Sequence, residues 1–428
     1  MPIHPDKDTI REMQLNQLNT LIEALVDDNR FYSPRLKAAD LTSKLDSIEA
    51  FTSRMPFTLK SEMVADQTAH PPFGSNLTYP LSDYVHMHQT SGTTGFPMRW
   101  LDTEESWSWM LDNWKEVLHA SHVTANDVIF FAFSFGPFLG FWTAYGASER
   151  LGCLCISGGG MSSEGRLDTI LANRVTTICC TPTYALRLGQ IAEEKGINLS
   201  RSAIKTIIVA GEPGGSVPST RERISQLWNG ARVFDHHGMT EVGPVTVPNF
   251  EHPYILHVLE EAYLAEVLDP DSLEHVAPGQ TGELVLTTLG RLGSPLLRYR
   301  TGDLVRLSSR TPEALGTARM ALEGGILTRN DDMLIVRGIN IFPASVEEVM
   351  RRFPEVAEYQ VEVTVTRAMT ELKINVEPDT KVTDKETFRK TLEKSLRTAL
   401  QIRIPVQLVP QNALPRFEMK AKRWVRLK

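Results

Sequence analysis

The chain has 428 residues, 42% of them apolar and 23% charged, a balance that excludes a disordered chain, a collagen and a coiled coil. Acidic residues outnumber basic ones by 52 to 45, for a net charge of −7, which argues against a nucleic-acid partner held by charge. The length predicts two to three domains.

Residues 8–28 carry Leu18, Leu21, Ile22 and Leu25 at helical spacing. Leu59 to Gly74 reads as a polar, Pro-rich connector. Short apolar runs (VIFFAF, CLCIS, TTICC, AIKTIIVAG, ARVFDHH) then alternate with helical segments (SEGRLDTILANR, TYALRLGQIAEEKG, STRERISQLWNG). This alternation predicts a parallel sheet in αβα layers. From Ala262 the runs AYLAEVL, GELVLTTL and LVRLSS are joined by short turns and predict a smaller antiparallel, barrel-like part. Beyond about residue 328 the order is helix, strand, strand, helix, strand, which predicts a separate α+β C-terminal domain. The expected division is 1–328 and 332–428.

Val128 to Gly146 is uncharged and long enough to cross a membrane. Gly136, Pro137 and Gly140 interrupt it, and Asp127 and Glu149 flank it, so it reads as a buried strand and a pocket-lining turn. No membrane partner is expected. The first residues contain no apolar leader run, which predicts a cytoplasmic chain. Cys153, Cys155, Cys179 and Cys180 lie in apolar runs. Neither C-x-C nor C-C is an ordinary zinc spacing, so these read as core thiols in a reducing compartment.

Thr90-Ser91-Gly92-Thr93-Thr94-Gly95-Phe96 follows a strand-like run. Its glycines let backbone N–H groups converge on an anion and its hydroxyls add donors, which suits polyphosphate. It is not a Walker A loop, because no Lys-Ser/Thr follows at the right spacing. Further loops after apolar runs (AGEPGG, DHHGMTEVG, YRTGDLV with Asp303 in a turn) point to one shared nucleotide site at strand ends.

Taken in order, TSGTTG, GEP, HGMTE, YRTGD and RNDD resemble the adenylate-forming superfamily of acyl-CoA synthetases, adenylation domains and luciferases. MPFTLKSEM, DDMLIVRGINIFPASVEE and PRFEMKAKR are similar to the phenylacetate–CoA ligase branch. The resemblance spans nearly the whole chain. It implies that a carboxylic acid, with an aromatic one expected, reacts with ATP to give acyl-AMP, and that the acyl group passes to CoA. It assigns the β- and γ-phosphates to Thr90, Ser91, Gly92, Thr93, Thr94 and Gly95. Glu241 would hold Mg2+ and Thr240 the α-phosphate. Adenine would lie between Gly211-Glu212-Pro213 and Asp235-His236-His237-Gly238-Met239, with Asp303 and Arg329 at the ribose. Lys420 aligns with the catalytic lysine and Asp331 with the hinge of a mobile C-terminal domain. Arg337 and Gly338 would face the thiol acceptor. Phe133, Phe135, Gly136, Pro137 and Ala210 would wall the acyl pocket.

Two departures stand out. Phe96 occupies a position where relatives carry lysine, with Arg99 nearby as a compensating cation, and His237 stands where relatives show tyrosine. The region with His252 and His257 lacks cysteine, so no zinc is predicted. A carrier protein acting in trans is the alternative acceptor, and a degenerate non-catalytic paralogue is a third reading supported by Phe96. Homodimers are common in the resembling branch.

Overall fold

The computed structural model describes residues 5–90, 97–329, 334–336, 339–366, 369–417 and 421–427. The chain opens on α1 (Lys7–Leu25), whose first turn is capped by the Asp6 carboxylate accepting the Thr9 N–H at 2.8 Å. Its expected stripe is buried against α2 (Ser33–Ala38) and α3 (Ile48–Thr52), with Leu264, Leu289 and Leu297 closing that core. The connector expected at 59–74 is corrected: α4 (Lys60–Ala69) forms there. Glu62 accepts the Leu59 N–H at 2.8 Å, and the helix buries Met63, Asp66 and Gln67. Polar side chains make up most of that buried face, so no apolar stripe announces it.

An antiparallel hairpin of β1 (Tyr84–Gln89) and β2 (Arg99–Thr103) flanks the Ser/Thr/Gly loop. After α5 (Glu104–Ala120) the predicted alternation follows. It runs β3 (Val128–Phe131), α6 (Trp142–Leu151), β4 (Leu154–Ser157), α7 (Ser163–Ala172), β5 (Thr177–Cys180), α8 (Pro182–Lys195), β6 (Thr206–Ala210), α9 (Pro218–Leu227) and β7 (Arg232–His236). These strands form a parallel sheet ordered β4-β3-β5-β6-β7. Successive residues point to opposite faces. Ile129, Phe131, Cys179, Ile208 and Phe234 join the core shared with α5 and α6, while Phe130, Ile178, Ile207 and Val233 join the core under α8 and α9. All four cysteines are free thiols. Burial pushes Cys155 up to about 12.

Two short strands, β8 (Gly238–Met239) and β9 (Gly243–Pro244), pair across the HGMTE turn. Next come β10 (Thr246–Pro248), β11 (Ile255–Val258), β12 (Tyr263–Leu268), β13 (Thr281–Thr288), β14 (Tyr299–Leu307), α10 (Pro312–Leu315) and β15 (Ala321–Arg329). Their antiparallel sheet is ordered β10-β11-β15-β14-β13-β12. Asp303, expected in a turn, sits inside β14 opposite Arg329 of β15. YRTGD reads as a turn because Gly302 takes a φ of +76°, and the ladder is irregular just beyond it, from Leu304 to Arg306.

The C-terminal part contains β16 (Leu334–Val336), β17 (Ile339–Ile341), α11 (Pro343–Arg351), β18 (Val356–Thr366), β19 (Met369–Pro378), α12 (Lys385–Leu400), β20 (Val406–Leu408) and β21 (Trp424–Arg426). Its four-stranded sheet is ordered β20-β19-β18-β21. Val346, Val361, Ile374, Leu392 and Leu396 give it a core of its own. The basic end of the chain hides β21 and a buried ionic knot. Arg423 Nε donates to Glu358 at 2.7 Å, and Arg423 Nη1 lies 3.6 Å from Glu347. Burial works to raise Glu347, but Arg351 and Arg423 outweigh it and hold the carboxyl at about 2. Among the described residues no helix is long and apolar enough to cross a membrane.

Candidate active site

The loops after β3, β5, β6 and β7 leave the same edge of the parallel sheet, where open α/β sheets bind ligands. The loop after β3 is aromatic, as the interrupted apolar run predicted. Phe133 packs edge-on against Phe135, Phe138 and Phe141 at centroid distances of 5.1–5.6 Å. Phe135 also meets Tyr145 at 5.6 Å and Trp142 at 4.7 Å. Gly136 is closely covered, since a Cβ there would lie 2.7 Å from the Phe138 ring. The Pro137 carbonyl accepts the Gln89 N–H at 2.7 Å, which ties this loop to the chain entering the Ser/Thr/Gly segment. Ala210 and Met239 pack on the same core at its half-buried margin. Thr90 also turns inward, its Oγ1 accepting the Met98 N–H at 3.1 Å.

At the end of β7, Asp235 is buried and accepts the Ser216 hydroxyl at 2.6 Å and the His236 N–H at 3.1 Å. Burial outweighs these bonds and pushes its carboxyl up to about 6. Gly215 and Gly325 let it fit: a Cβ at Gly215 would fall 2.4 Å from Asp235 Oδ1. His236 turns into the core, its Nδ1 at 2.7 Å from the Thr246 carbonyl and its ring against Trp114. Burial lowers it to about 3, so it stays neutral.

His237 points the other way. Its Nε2 lies 3.3 Å from Asp303 Oδ2, and neither buried atom completes a hydrogen bond within the chain. Arg329 Nη1 stands 3.6 Å from the other Asp303 oxygen. Buried polar atoms are normally satisfied. A donor–acceptor group such as a ribose hydroxyl would satisfy both, which fits the expected task of Asp303.

Glu241 is buried, and its carboxylate meets Lys60 at the start of α4 at 3.2 Å. The backbone under it is clamped. Arg291 donates to the carbonyls of Thr240 and Glu241 at 2.9 and 2.8 Å while forming a bidentate pair with Asp102 at 2.7 Å. Both members of that pair are fully buried. One carboxylate with a phosphate ligand nearby is the usual protein contribution to a Mg2+ site. The Glu241 oxygens suit it.

Other expected residues fall elsewhere. Glu212, placed by resemblance at the adenine, directs its carboxylate to the N–H groups of Thr183 and Ala421. Arg99 donates to the Pro72 carbonyl at 2.8 Å, and the cation that meets Glu241 is Lys60. Ser91 to Gly95, Phe96, Asp331, Arg337, Gly338 and Lys420 lie outside the described residues. Sequence reasoning missed Lys60, Asp102 and Arg291. Lys60 lies within MPFTLKSEM, and Arg291 is a lone cation in the apolar stretch VLTTLGRLGSPLL. A solitary charge in a buried run is the signal that could have found it.

Fold and site together define a two-part nucleotide-dependent enzyme whose candidate site lies at the parallel-strand ends. The AMP-binding enzyme family matches residues 34–290, and the AMP-binding enzyme C-terminal domain matches residues 338–428; the chain belongs to this family. It is 30% identical to the phenylacetate-coenzyme A ligase of Thermus thermophilus over 87% of this chain and 82% of that protein. Identity to the phenylacetate-coenzyme A ligase of Escherichia coli K12 is 29%, over 86% of this chain and 83% of the relative. The fold resembles 2-hydroxyisobutyryl-CoA ligase in the postadenylation state with its acyl-AMP. There the TM-score is 0.92 at 27% identity, covering 99% of this chain and 91% of the other. Against the same ligase with CoA in the thioesterification state the TM-score is 0.73 at 28% identity, over 98% and 90%.

Proposed function

We propose that the chain is an AMP-forming acid–CoA ligase acting on an aromatic or arylacetic acid. The observation that carries the nucleotide reading is the cluster His237–Asp303–Arg329 beside Asp235 and Glu241 at the strand ends. Asp303 takes the ribose hydroxyls, with Arg329 3.6 Å from one carboxylate oxygen and His237 3.3 Å from the other. The backbone at Gly211 and Pro213 and the segment from His237 to Met239 enclose the base, with the Glu212 carboxylate turned away to Thr183 and Ala421. Glu241 would hold Mg2+, which would supply charge neutralisation on the phosphates. Lys60, 3.2 Å from the same carboxylate, holds Glu241 in place. Thr240 is aligned to the α-phosphate by the Arg291 clamp on its backbone.

Lys420, by its motif, follows charge from the attacking carboxylate to the α-phosphate. Arg337 and Gly338 face the CoA thiol after the C-terminal domain turns about Asp331. A domain boundary there is supported by the separate core of Val346, Val361, Ile374 and Leu396. The Phe133–Phe135–Phe138 box favours a flat aryl group by edge-to-face contact. CoA is preferred to a carrier-protein thiol because the solved 2-hydroxyisobutyryl-CoA ligase binds it. Four free cysteines, three of them buried, suit the reducing cytoplasm.

The test is CoA-thioester formation, followed by mass spectrometry, across aryl, arylacetic and short hydroxy acids. The reading expects ATP-dependent thioesters with highest kcat/KM for an aryl or arylacetic acid. Acid-dependent AMP release without any CoA thioester would move the acceptor to a carrier protein. No nucleotide turnover with any acid would make the chain a degenerate paralogue.

A further inference from the structure

Glu212 stands at the junction of the two parts of the molecule. It lies in the turn after β6, where Gly211 takes a φ of +94°. Its Oε1 accepts the Thr183 N–H, in the first turn of α8, at 2.9 Å. Its Oε2 accepts the Ala421 N–H at 2.7 Å. Ala421 directly follows Lys420 in the sequence. A carboxylate at a helix N-terminus is favoured by the helix dipole and by charge-assisted N–H bonds. One oxygen is therefore fixed by the large part, and the other is presented to the C-terminal segment. The bond on that side is to backbone, so it reads the position of the segment and not a side chain.

Other contacts cross the same boundary. Arg423 Nη1 donates to Thr183 Oγ1 at 3.4 Å. The Ser219 N–H and hydroxyl both donate to the Glu348 carboxylate, at 3.1 and 3.0 Å. Of these, the Glu212 bond is adjacent in sequence to Lys420. The set belongs to an arrangement that matches the postadenylation state of the solved ligase better than its thioesterification state.

We propose that Glu212 is the positioning residue that docks the lysine-bearing segment for acyl-adenylate formation, and that thioester formation proceeds without it. Its kinetic consequence rests on the ligase reading above, whereas its effect on the arrangement of the two parts does not. A ligand or contact made in one of two arrangements shifts their populations by its differential free energy alone. Loss of a charge-assisted bond predicts a shift of about tenfold or more.

Glu212→Ala and Glu212→Gln test this. In single-turnover assays Glu212→Ala should slow pyrophosphate release about tenfold or more. Thioester formation from supplied acyl-adenylate and CoA should change by less than about twofold. Glu212→Gln has one acceptor oxygen and should fall between wild type and Glu212→Ala. Spin labels at Arg201→Cys and Lys390→Cys, both exposed positions in different parts of the chain, read the arrangement without turnover. Glu212→Ala should populate a second distance that is minor in the Glu212 protein. Equal loss in both half-reactions would overturn the proposal, as would an unaltered distance distribution whatever the kinetics. If the wild type turns over no acid, the ligase reading fails while the distance measurement still decides the docking role.

Discussion

Asp235 shows how a single residue trades stability for a site. Its carboxyl is raised by burial to about 6, whereas an unfolded aspartate titrates at about 4. Between these values the unfolded chain has released a proton that the folded chain keeps. Stability therefore falls as pH rises through this window, and the cost is complete above about pH 6. Replacing Asp235 by Asn should stabilise the nucleotide-free protein by roughly 2–3 kcal/mol at pH 7. The gain should vanish near pH 4, as urea denaturation at the two pH values would show. An equal gain at both would contradict the burial account. Lys60 makes the opposite kind of contribution. Lys60→Ala removes the cation at Glu241 and should raise the KM for ATP roughly tenfold, measured in steady state, with little loss of thermal stability because the lysine is partly exposed. The sequence announced Asp235 and Glu241 through their motif. It did not announce Lys60, because a lysine at a helix start looks like any solvated charge until the fold brings a carboxylate 3.2 Å away.

At the scale of elements, the parallel sheet was legible because its strands are runs of β-branched and apolar residues bounded by helices with clear stripes. TTICC and IKTIIV could be little else once they alternated with helices. α4 was illegible for the opposite reason: Asp66 and Gln67 face inward and are satisfied there. Gln67 exchanges two hydrogen bonds with the Arg99 backbone, at 2.7 and 2.9 Å, just beyond the Ser/Thr/Gly loop. Asp303 was misplaced because Gly302 imitates a turn within a strand. The Asp102–Arg291 pair joins β2 to the Thr240–Glu241 turn and is likewise a long-range fact that no local pattern carries. Breaking a buried pair costs about 3–5 kcal/mol. Asp102→Ala should therefore lower the unfolding free energy by about that much and reduce pyrophosphate release further than the loss of folded protein explains. Denaturation curves and activity per folded molecule separate the two effects. A stability loss with full activity per folded molecule would show that the clamp does not hold the Glu241 turn.

For the whole molecule, the proposed function divides the chemistry between a large part that would bind the nucleotide and a small part, with a core of its own, that carries the motif lysine. The resemblance implies this division from motif order alone. What it did not reach is the junction, where Glu212, Ser219 and Thr183 meet Ala421, Arg423 and Glu348. Those residues are ordinary in sequence, and their partners lie more than a hundred positions away. The central claim is that one set of strand-end loops adenylates an acid with help from Lys420. Acid-dependent exchange of labelled pyrophosphate into ATP, run with wild type and Lys420→Ala, tests it most directly. The account predicts exchange that requires a carboxylic acid and Mg2+, needs no CoA, and collapses in Lys420→Ala. Exchange that persists in Lys420→Ala, or ATP turnover indifferent to any acid, would contradict it.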